Sequence, residues 1–111
     1  ILQKMVEADV IVLASPVYFY AMNGQMKTFI DRTVPQYTKI SDKDFYFIIT
    51  AADTMQKHMD KVIEGFRGFT ADCLDNAHEK GIVYGLGAWQ KGEIEHNREA
   101  MLQAYEFGKN A

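Results

Sequence analysis

The fold of this chain is decided by residues 10–24, VIVLASPVYFYAMNG. Four apolar residues, most of them β-branched, open the stretch, and such a run is typical of a buried strand. Pro16 has no amide hydrogen and biases Ser15 towards an extended conformation, so we expect it to end the hydrogen bonding of the strand. Three aromatic residues then precede Asn-Gly. The stretch predicts a strand whose carboxyl end exposes backbone amides and aromatic rings.

Two further apolar runs, at residues 45–50 and 81–85, predict two more strands. The runs at 10–13 and 45–50 are continuous rather than alternating, which indicates strands covered by helices on both faces. Helical patterns occupy the remaining segments: residues 1–8, Gly24 to Pro35, 55–66, a separate turn at 71–77, and 95–107 with Gly108 as a stop signal. Strict alternation of helix and strand predicts an α/β fold with a parallel sheet and right-handed crossovers.

Ligands of such folds bind beyond the carboxyl ends of the strands. Three loops lie there, at residues 15–24, 51–55 and 86–93. In the first loop, backbone amides can bond the polar edge of an aromatic ligand while Tyr18, Phe19 or Tyr20 covers its faces. The alternative is that these rings seal the end of the core or a subunit contact, and the residues by themselves slightly favour that alternative.

Small and capping residues stand at the ends of the first two loops. Asn23 and Gly24 are a favoured pair for a type I′ hairpin. Because the residues after them have a helical pattern, we expect Asn23 to cap a helix that begins at Gly24. Ala51 and Ala52 would let a ligand approach the backbone, and Asp53 is expected to cap the next helix.

The third loop has Gln90 where a dinucleotide-binding motif needs its third glycine, so that motif is not met. Trp89 indicates a surface loop that can cap a pocket or meet a partner subunit. The three histidines lack the spacing of metal ligands, and no metal site is expected. Cys73 is interpreted as a small core residue rather than a nucleophile.

The composition of the chain excludes several classes of function. A length of 111 residues predicts one domain, and 48% hydrophobic residues suffice for a core. A net charge of −3 without a basic patch argues against nucleic acid and against anionic membranes. No apolar run is long enough to span a bilayer. A single cysteine excludes an internal disulfide and fits the cytoplasm.

Residues 8–33, ADVIVLASPVYFYAMNGQMKTFIDRT, closely resemble the NADPH-dependent FMN reductase family, whose flavodoxin-like flavoproteins include iron–sulfur flavoproteins. The segments IITAAD at 48–53 and AYEFGKN at 104–110 are also similar to that family. The resemblance implies a flavodoxin-like, doubly wound parallel sheet in three αβα layers, with strand order 2-1-3-4-5. The three strands of this chain would be the third, fourth and fifth.

The resemblance also implies where the flavin binds. In the family, the loop after the third strand wraps the isoalloxazine ring of FMN, and the loop after the fourth strand borders its other side. Carried over to this chain, the cofactor-binding residues are Ser15, Pro16, Val17, Tyr18, Phe19, Tyr20, Asn23, Ala51, Ala52 and Asp53. No catalytic side chain is implied, and we expect the backbone amides of residues 17–20 to be the functional groups.

Family members carry a first strand, a phosphate-binding loop, a first helix and a second strand ahead of this point. We therefore expect residues 1–111 to be a single flavodoxin-like domain that is incomplete at its amino end. Iron–sulfur members place their cysteines in that missing half, so a cluster is expected only there. The open edge of the first strand predicts association, either as a homo-oligomer (dimer or tetramer) or with the missing half.

The implied function is that of an FMN-dependent oxidoreductase, or of the carboxyl-terminal portion of one. NAD(P)H would deliver hydride to the flavin, which would pass electrons to a quinone, another small-molecule acceptor or an iron–sulfur centre. Two alternatives stay open. One is a flavin-binding electron-transfer or storage module without turnover, and the other is a truncated chain that does not bind FMN by itself.

Overall fold

The computed structural model describes residues 1–111 and contains one four-stranded sheet. Its strands are β1 (Val10–Tyr18), β2 (Ala21–Met22), β3 (Asp44–Ala51) and β4 (His78–Leu86), in the spatial order β2-β1-β3-β4. Strands β1, β3 and β4 are parallel, whereas β2 runs antiparallel to β1. The three predicted strands and their adjacency are confirmed. The fourth strand, β2, is too short to leave a sequence pattern.

Helices alternate with the parallel strands, which confirms the α/β class. They are α1 (Leu2–Glu7), α2 (Gly24–Asp31), α3 (Asp60–Cys73) and α4 (Arg98–Asn110), with short 3₁₀ helices at Val34–Lys39, Gln56–Met59 and Glu93–His96. None of the helices is both long and apolar enough to cross a bilayer.

Several predicted helix boundaries are wrong. Helix α2 ends at Asp31 rather than at Pro35, and α3 begins at Asp60 rather than at residue 55, because 3₁₀ helices occupy Val34–Lys39 and Gln56–Met59. Helix α3 runs without a break to Cys73, and Leu74 is extended, so there is no separate turn at 71–77. The thiol of Cys73 is exposed rather than part of the core. Helix α4 continues through Gly108 because the preceding Phe107 packs against Tyr46 of β3, with 5.5 Å between ring centroids, and holds the last turn on the sheet.

The core lies on the face of the sheet that α3 covers. Phe47 of β3 is 0% exposed and stacks on Phe66 of α3, with ring centroids 5.0 Å apart. The other face of β3 is covered by α4 through Tyr46 and Phe107. Gly81 of β4 makes room for that contact, since a Cβ there would lie 2.7 Å from the Phe107 ring. The prediction of a strand covered on both faces is confirmed for β3.

The same prediction is wrong for β1. Its burial alternates, and Val12 is 52% exposed because α4 covers the neighbouring Tyr46 but does not extend over β1. Pro16 also lies within β1, opposite Thr50 of β3, so the strand does not end there as expected. At Pro16 the strand has no partner on its other side, and sheets tolerate proline at such an edge.

Candidate functional site

The first two predicted loops meet at the carboxyl edge of the sheet. Strands β1 and β3 run in parallel register over residues 10–16 of β1. Strand β1 then ends at Tyr18, and β3 ends at Ala51. Parallel pairing therefore brings the two predicted halves of the ring site, residues 15–20 and 51–53, to the same edge.

The aromatic residues form a tight hairpin rather than an open loop. Tyr18 pairs with Ala21 of β2, so Phe19 and Tyr20 alone make the connection, with φ angles of 51° and 65°. Positive φ at both central residues is the conformation of a type I′ turn, which Asn and Gly normally provide. A residue with a side chain costs roughly 1–2 kcal/mol in this region. The chain thus holds two bulky residues in strained backbone.

No packing of the Phe19 ring compensates for this strain, since Phe19 is 100% exposed. Tyr18 and Tyr20 are also exposed. The amides of Phe19 and Tyr20 donate to no acceptor within the chain. Because the rings are exposed, they do not seal the end of the core, and that part of the interpretation is wrong; a ligand and a subunit contact are the two interpretations left. What remains is a surface that presents aromatic rings and free amides together.

Ser15 and Asn23 hold the hairpin against the sheet. The hydroxyl of the buried Ser15 donates to the carbonyl of Pro16 at 2.7 Å and accepts from the amide of Asn23 at 2.9 Å. The Asn23 side chain in turn accepts from the amide of Met26, 2.9 Å away. This confirms Asn23 as the cap of the helix that begins at Gly24. The oxygen atoms of both side chains are thereby engaged within the chain.

Asp53 organises the second loop through both carboxylate oxygens. One oxygen accepts from the amide of Met55 at 2.8 Å, and the other lies 2.7 Å from Nδ1 of His58. The Met55 hydrogen bond, followed by that of His58, lowers the pKa of Asp53 below its ordinary value. Asp53 stabilises the turn ahead of the 3₁₀ helix Gln56–Met59 rather than capping α3 directly.

The third loop is attached to the second. The amide of Gly87 donates to the carbonyl of Asp53 at 3.0 Å, and the amide of Ala88 donates to that of Ala51 at 2.9 Å. Beyond these bonds Trp89 is exposed, as predicted for a surface loop. The carboxylate of Glu93 accepts from the amides of Trp89 and Gln90. The carbonyls of Ala51 and Asp53 are therefore occupied, whereas the amide of Ala52 donates to no acceptor within the chain.

Two residues that the sequence analysis did not select lie next to the aromatic turn. His58 makes an edge-on contact with Tyr20 at 6.4 Å between ring centroids. The ammonium group of Lys61 lies 5.6 Å from the centre of the same ring. Asp53 and His58 are five residues apart just after β3, and this spacing could have identified His58. The contact of His58 with Tyr20 joins segments that are distant in the chain, so no local sequence pattern predicts it.

The donor set at this edge fits a flat heterocycle with polar atoms on one side. The free amides of Phe19, Tyr20 and Ala52 suit its polar atoms, and the exposed rings suit its faces. Two cavities lie elsewhere, one of about 510 Å³ between α1 and α2 and one of about 600 Å³ between α2 and α3. No three His, Cys, Asp or Glu side chains are grouped to hold a metal ion.

Comparison with known proteins identifies relatives. Residues 1–72 match the family described as NADPH-dependent FMN reductase. An iron–sulfur flavoprotein from Archaeoglobus fulgidus is 54% identical over 35 residues, which are 31% of this chain and 16% of that protein. The local match is strong, and the chain spans about a sixth of that relative.

Solved structures show the same fold. The Trp repressor binding protein from Bacillus subtilis superposes with a TM-score of 0.79 at 22% identity, over 93% of this chain and 65% of its own. A Klebsiella pneumoniae protein provisionally described as a quinone reductase superposes with a TM-score of 0.57 at 14% identity, over 95% of this chain and 51% of its own. At these sequence identities, structural similarity is evidence for the fold only, and it confirms the flavodoxin-like architecture. The chain spans less than two thirds of either protein.

Proposed function

Because the chain belongs to the NADPH-dependent FMN reductase family, we propose that it supplies the ring-binding part of an FMN-dependent oxidoreductase. The observation that carries the proposal is the strained turn at Phe19 and Tyr20, whose free amides lie at the same sheet edge as the loop at 51–53. Backbone strain at an exposed turn persists where a function needs that conformation.

In this proposal the ring of FMN lies between residues 15–20 and 51–53. FMN supplies the chemistry, since its ring accepts a hydride and passes electrons on. The amides of Phe19, Tyr20 and Ala52 bind the polar edge of the ring. Ser15 and Asn23 act indirectly, because their side-chain bonds hold the hairpin in position.

The electron donor in this proposal is NAD(P)H, and the acceptor is a quinone, another small molecule or an iron–sulfur centre. Membership of the family supports a reductase over a flavin-binding module without turnover. A cytoplasmic location belongs to the same proposal, because reduced nicotinamide is available there.

Association with another chain or segment is also proposed. Over residues 10–16, β1 is paired with β3 on one side and has no strand on the other. The exposed Val12 adds an uncovered apolar position to that edge. An open edge of this kind is normally paired or covered, which supports a homo-oligomer or pairing with an amino-terminal half of the domain.

The test is a titration of the 111-residue chain with FMN, in which binding is measured as quenching of the flavin fluorescence. We expect saturable FMN binding that a Tyr20→Gly variant weakens by about tenfold, which corresponds to about 1.4 kcal/mol. Trp89→Gly is the matched control, because Trp89 is also an exposed aromatic residue but lies on the third loop. Riboflavin lacks the phosphate, and we expect it to bind about as tightly as FMN if this chain contacts the ring only.

Turnover is measured separately. Addition of NADPH and a soluble quinone to the flavin-loaded protein should cause steady oxidation of NADPH. Flavin binding without turnover would favour the electron-transfer module, and no flavin binding would contradict the proposed function for this chain.

A further inference from the structure

The Asp53–His58 pair is arranged like a positioned proton donor. Nδ1 of His58 lies 2.7 Å from a carboxylate oxygen of Asp53. A carboxylate can only accept, so the hydrogen on Nδ1 points to Asp53 and the other ring nitrogen is left for a different partner. Nε2 bonds to no residue of the chain, and the His58 side chain is 38% exposed. The imidazole is thus fixed on one side and open on the other.

The imidazole of His58 adjoins the proposed flavin site. His58 contacts Tyr20 edge-on, and Tyr20 belongs to the strained turn. The titratable groups in contact with His58 are Asp53 from the second loop and Tyr20 from the hairpin, and the ammonium group of Lys61 of α3 lies over the Tyr20 ring. A substrate bound at the aromatic turn would therefore lie next to the imidazole of His58.

We propose that His58 donates a proton to the electron acceptor and that the acceptor is a quinone, a class whose two-electron reduction requires that proton. This inference rests on the proposed function. A quinone becomes a hydroquinone by gaining one hydride and one proton. His58 reacts as the imidazolium, which carries hydrogen on both ring nitrogens. The hydride comes from the reduced flavin, and the N–H bond at Nε2 breaks as an O–H bond forms on the quinone oxygen. The neutral imidazole that remains keeps its hydrogen on Nδ1, facing Asp53, until solvent returns a proton to Nε2. Asp53 is the positioning residue.

Holding the turn does not require His58. The second carboxylate oxygen of Asp53 already bonds the amide of Met55, and this bond fixes the loop without the imidazole. A second Asp–His pair, Asp44 and His78 at 3.2 Å, lies at the amino end of β3 and β4. There Nε2 is occupied by Asn76 at 3.0 Å. His78 is therefore a matched control for a histidine bonded to a carboxylate far from the site.

The kinetic experiment mixes flavin-loaded, pre-reduced protein with benzoquinone or with ferricyanide, which accepts one electron at a time and no proton. We expect His58→Gln to slow reoxidation by benzoquinone by about 100-fold, the lower range for general acid catalysis, and to leave reoxidation by ferricyanide unchanged. His78→Gln should change neither rate.

Each kinetic outcome bears on one of the two proposals. Equal benzoquinone rates in wild type and His58→Gln overturn the role of His58 while leaving the proposed function intact. Equal slowing with both acceptors also overturns it, because loss of flavin geometry then explains the effect. Failure of the wild-type chain to bind flavin contradicts the proposed function, and this inference with it.

A second measurement needs neither flavin nor activity. Nitrogen-15 NMR of the flavin-free chain reports which ring nitrogen of neutral His58 carries hydrogen. We expect the Nδ1–H form in the wild type and a shift towards the Nε2–H form in Asp53→Asn, since the carboxylate no longer selects the tautomer. A predominant Nε2–H form in the wild type would overturn the positioning by Asp53.

Discussion

Strands β1 and β3 lie side by side in parallel register, yet different forces determine their conformations. Strand β3 is buried on both faces, and Phe47 is stacked on Phe66. Strand β1 buries one face, exposes Val12 and ends in a turn that strains Phe19 and Tyr20. Hydrophobic burial explains β3 completely. It does not explain the strained end of β1, for which the proposed binding of flavin offers a reason.

The largest expected effect tests the buried strand. Phe47→Ala should lower the free energy of unfolding by about 3–5 kcal/mol, because it removes a fully buried ring and leaves a cavity beside Phe66. Urea unfolding followed by circular dichroism measures the loss. Phe19→Ala is the control, and with no buried ring to lose it should change the free energy by less than about 0.5 kcal/mol. Similar losses in both variants would remove the distinction between β3 and the hairpin.

A smaller effect tests what holds the hairpin to β1. Ser15→Ala removes the buried hydroxyl that accepts from the amide of the half-buried Asn23. The unfolding free energy should fall by about 0.5–1.5 kcal/mol, the typical net contribution of one hydrogen bond. Hydrogen exchange at the Asn23 amide should become faster in the same variant. Unchanged exchange would mean that another group satisfies this amide.

The next effect has the opposite sign. Phe19→Gly should raise the free energy of unfolding by about 0.5–1 kcal/mol, since relief of the positive φ exceeds the extra entropy of Gly in the unfolded chain. The same variant should bind FMN more weakly, so stability and affinity would change in opposite directions. Paired urea and flavin titrations make the comparison. A loss of stability would show that the exposed ring does contribute to folding.

The smallest expected effect concerns the pH dependence of stability in the loop after β3. The pKa of Asp53 is lowered in the folded chain, chiefly by the Met55 amide and then by His58. Its contribution to stability is therefore present above the ordinary Asp pKa of 3.8 and is lost as the pH falls through the lower folded value. Urea unfolding at a series of pH values should show this loss in the wild type and less of it in Asp53→Asn.

If the wild type and Asp53→Asn show the same dependence of unfolding free energy on pH, the pKa of Asp53 is the same in the folded and the unfolded chain, and the prediction is wrong. The matched variant is Asp44→Asn, whose carboxylate also contacts a histidine but lies at the amino end of β3.

Local sequence was sufficient for several features of the fold and of the site. The apolar run at 45–50 predicted β3, and Asn23 was identified as a helix cap because its side chain and the amide of Met26 are only three residues apart. Such interactions are complete within a few residues, so a local pattern contains all of their physics. The resemblance of residues 8–33 to a flavoprotein family was likewise a matter of contiguous residues.

Other features depend on partners that are distant in the chain. Pro16 was expected to end β1, but the edge position of the strand makes the proline tolerable. Gly108 was expected to end α4, but the contact of Phe107 with Tyr46 extends the helix. At Gly108 a local preference of about 1 kcal/mol is overridden by packing.

The sequence by itself determined the α/β class, the three parallel strands, the helix cap at Asn23 and the family, because each follows from neighbouring residues. Only the tertiary structure decided that Phe19 and Tyr20 form a strained turn, that one face of β1 stays open, and that His58 stands between Asp53 and Tyr20. The physical reason is that strand pairing and helix packing join segments far apart in the chain, and the resulting contacts outweigh local conformational preference.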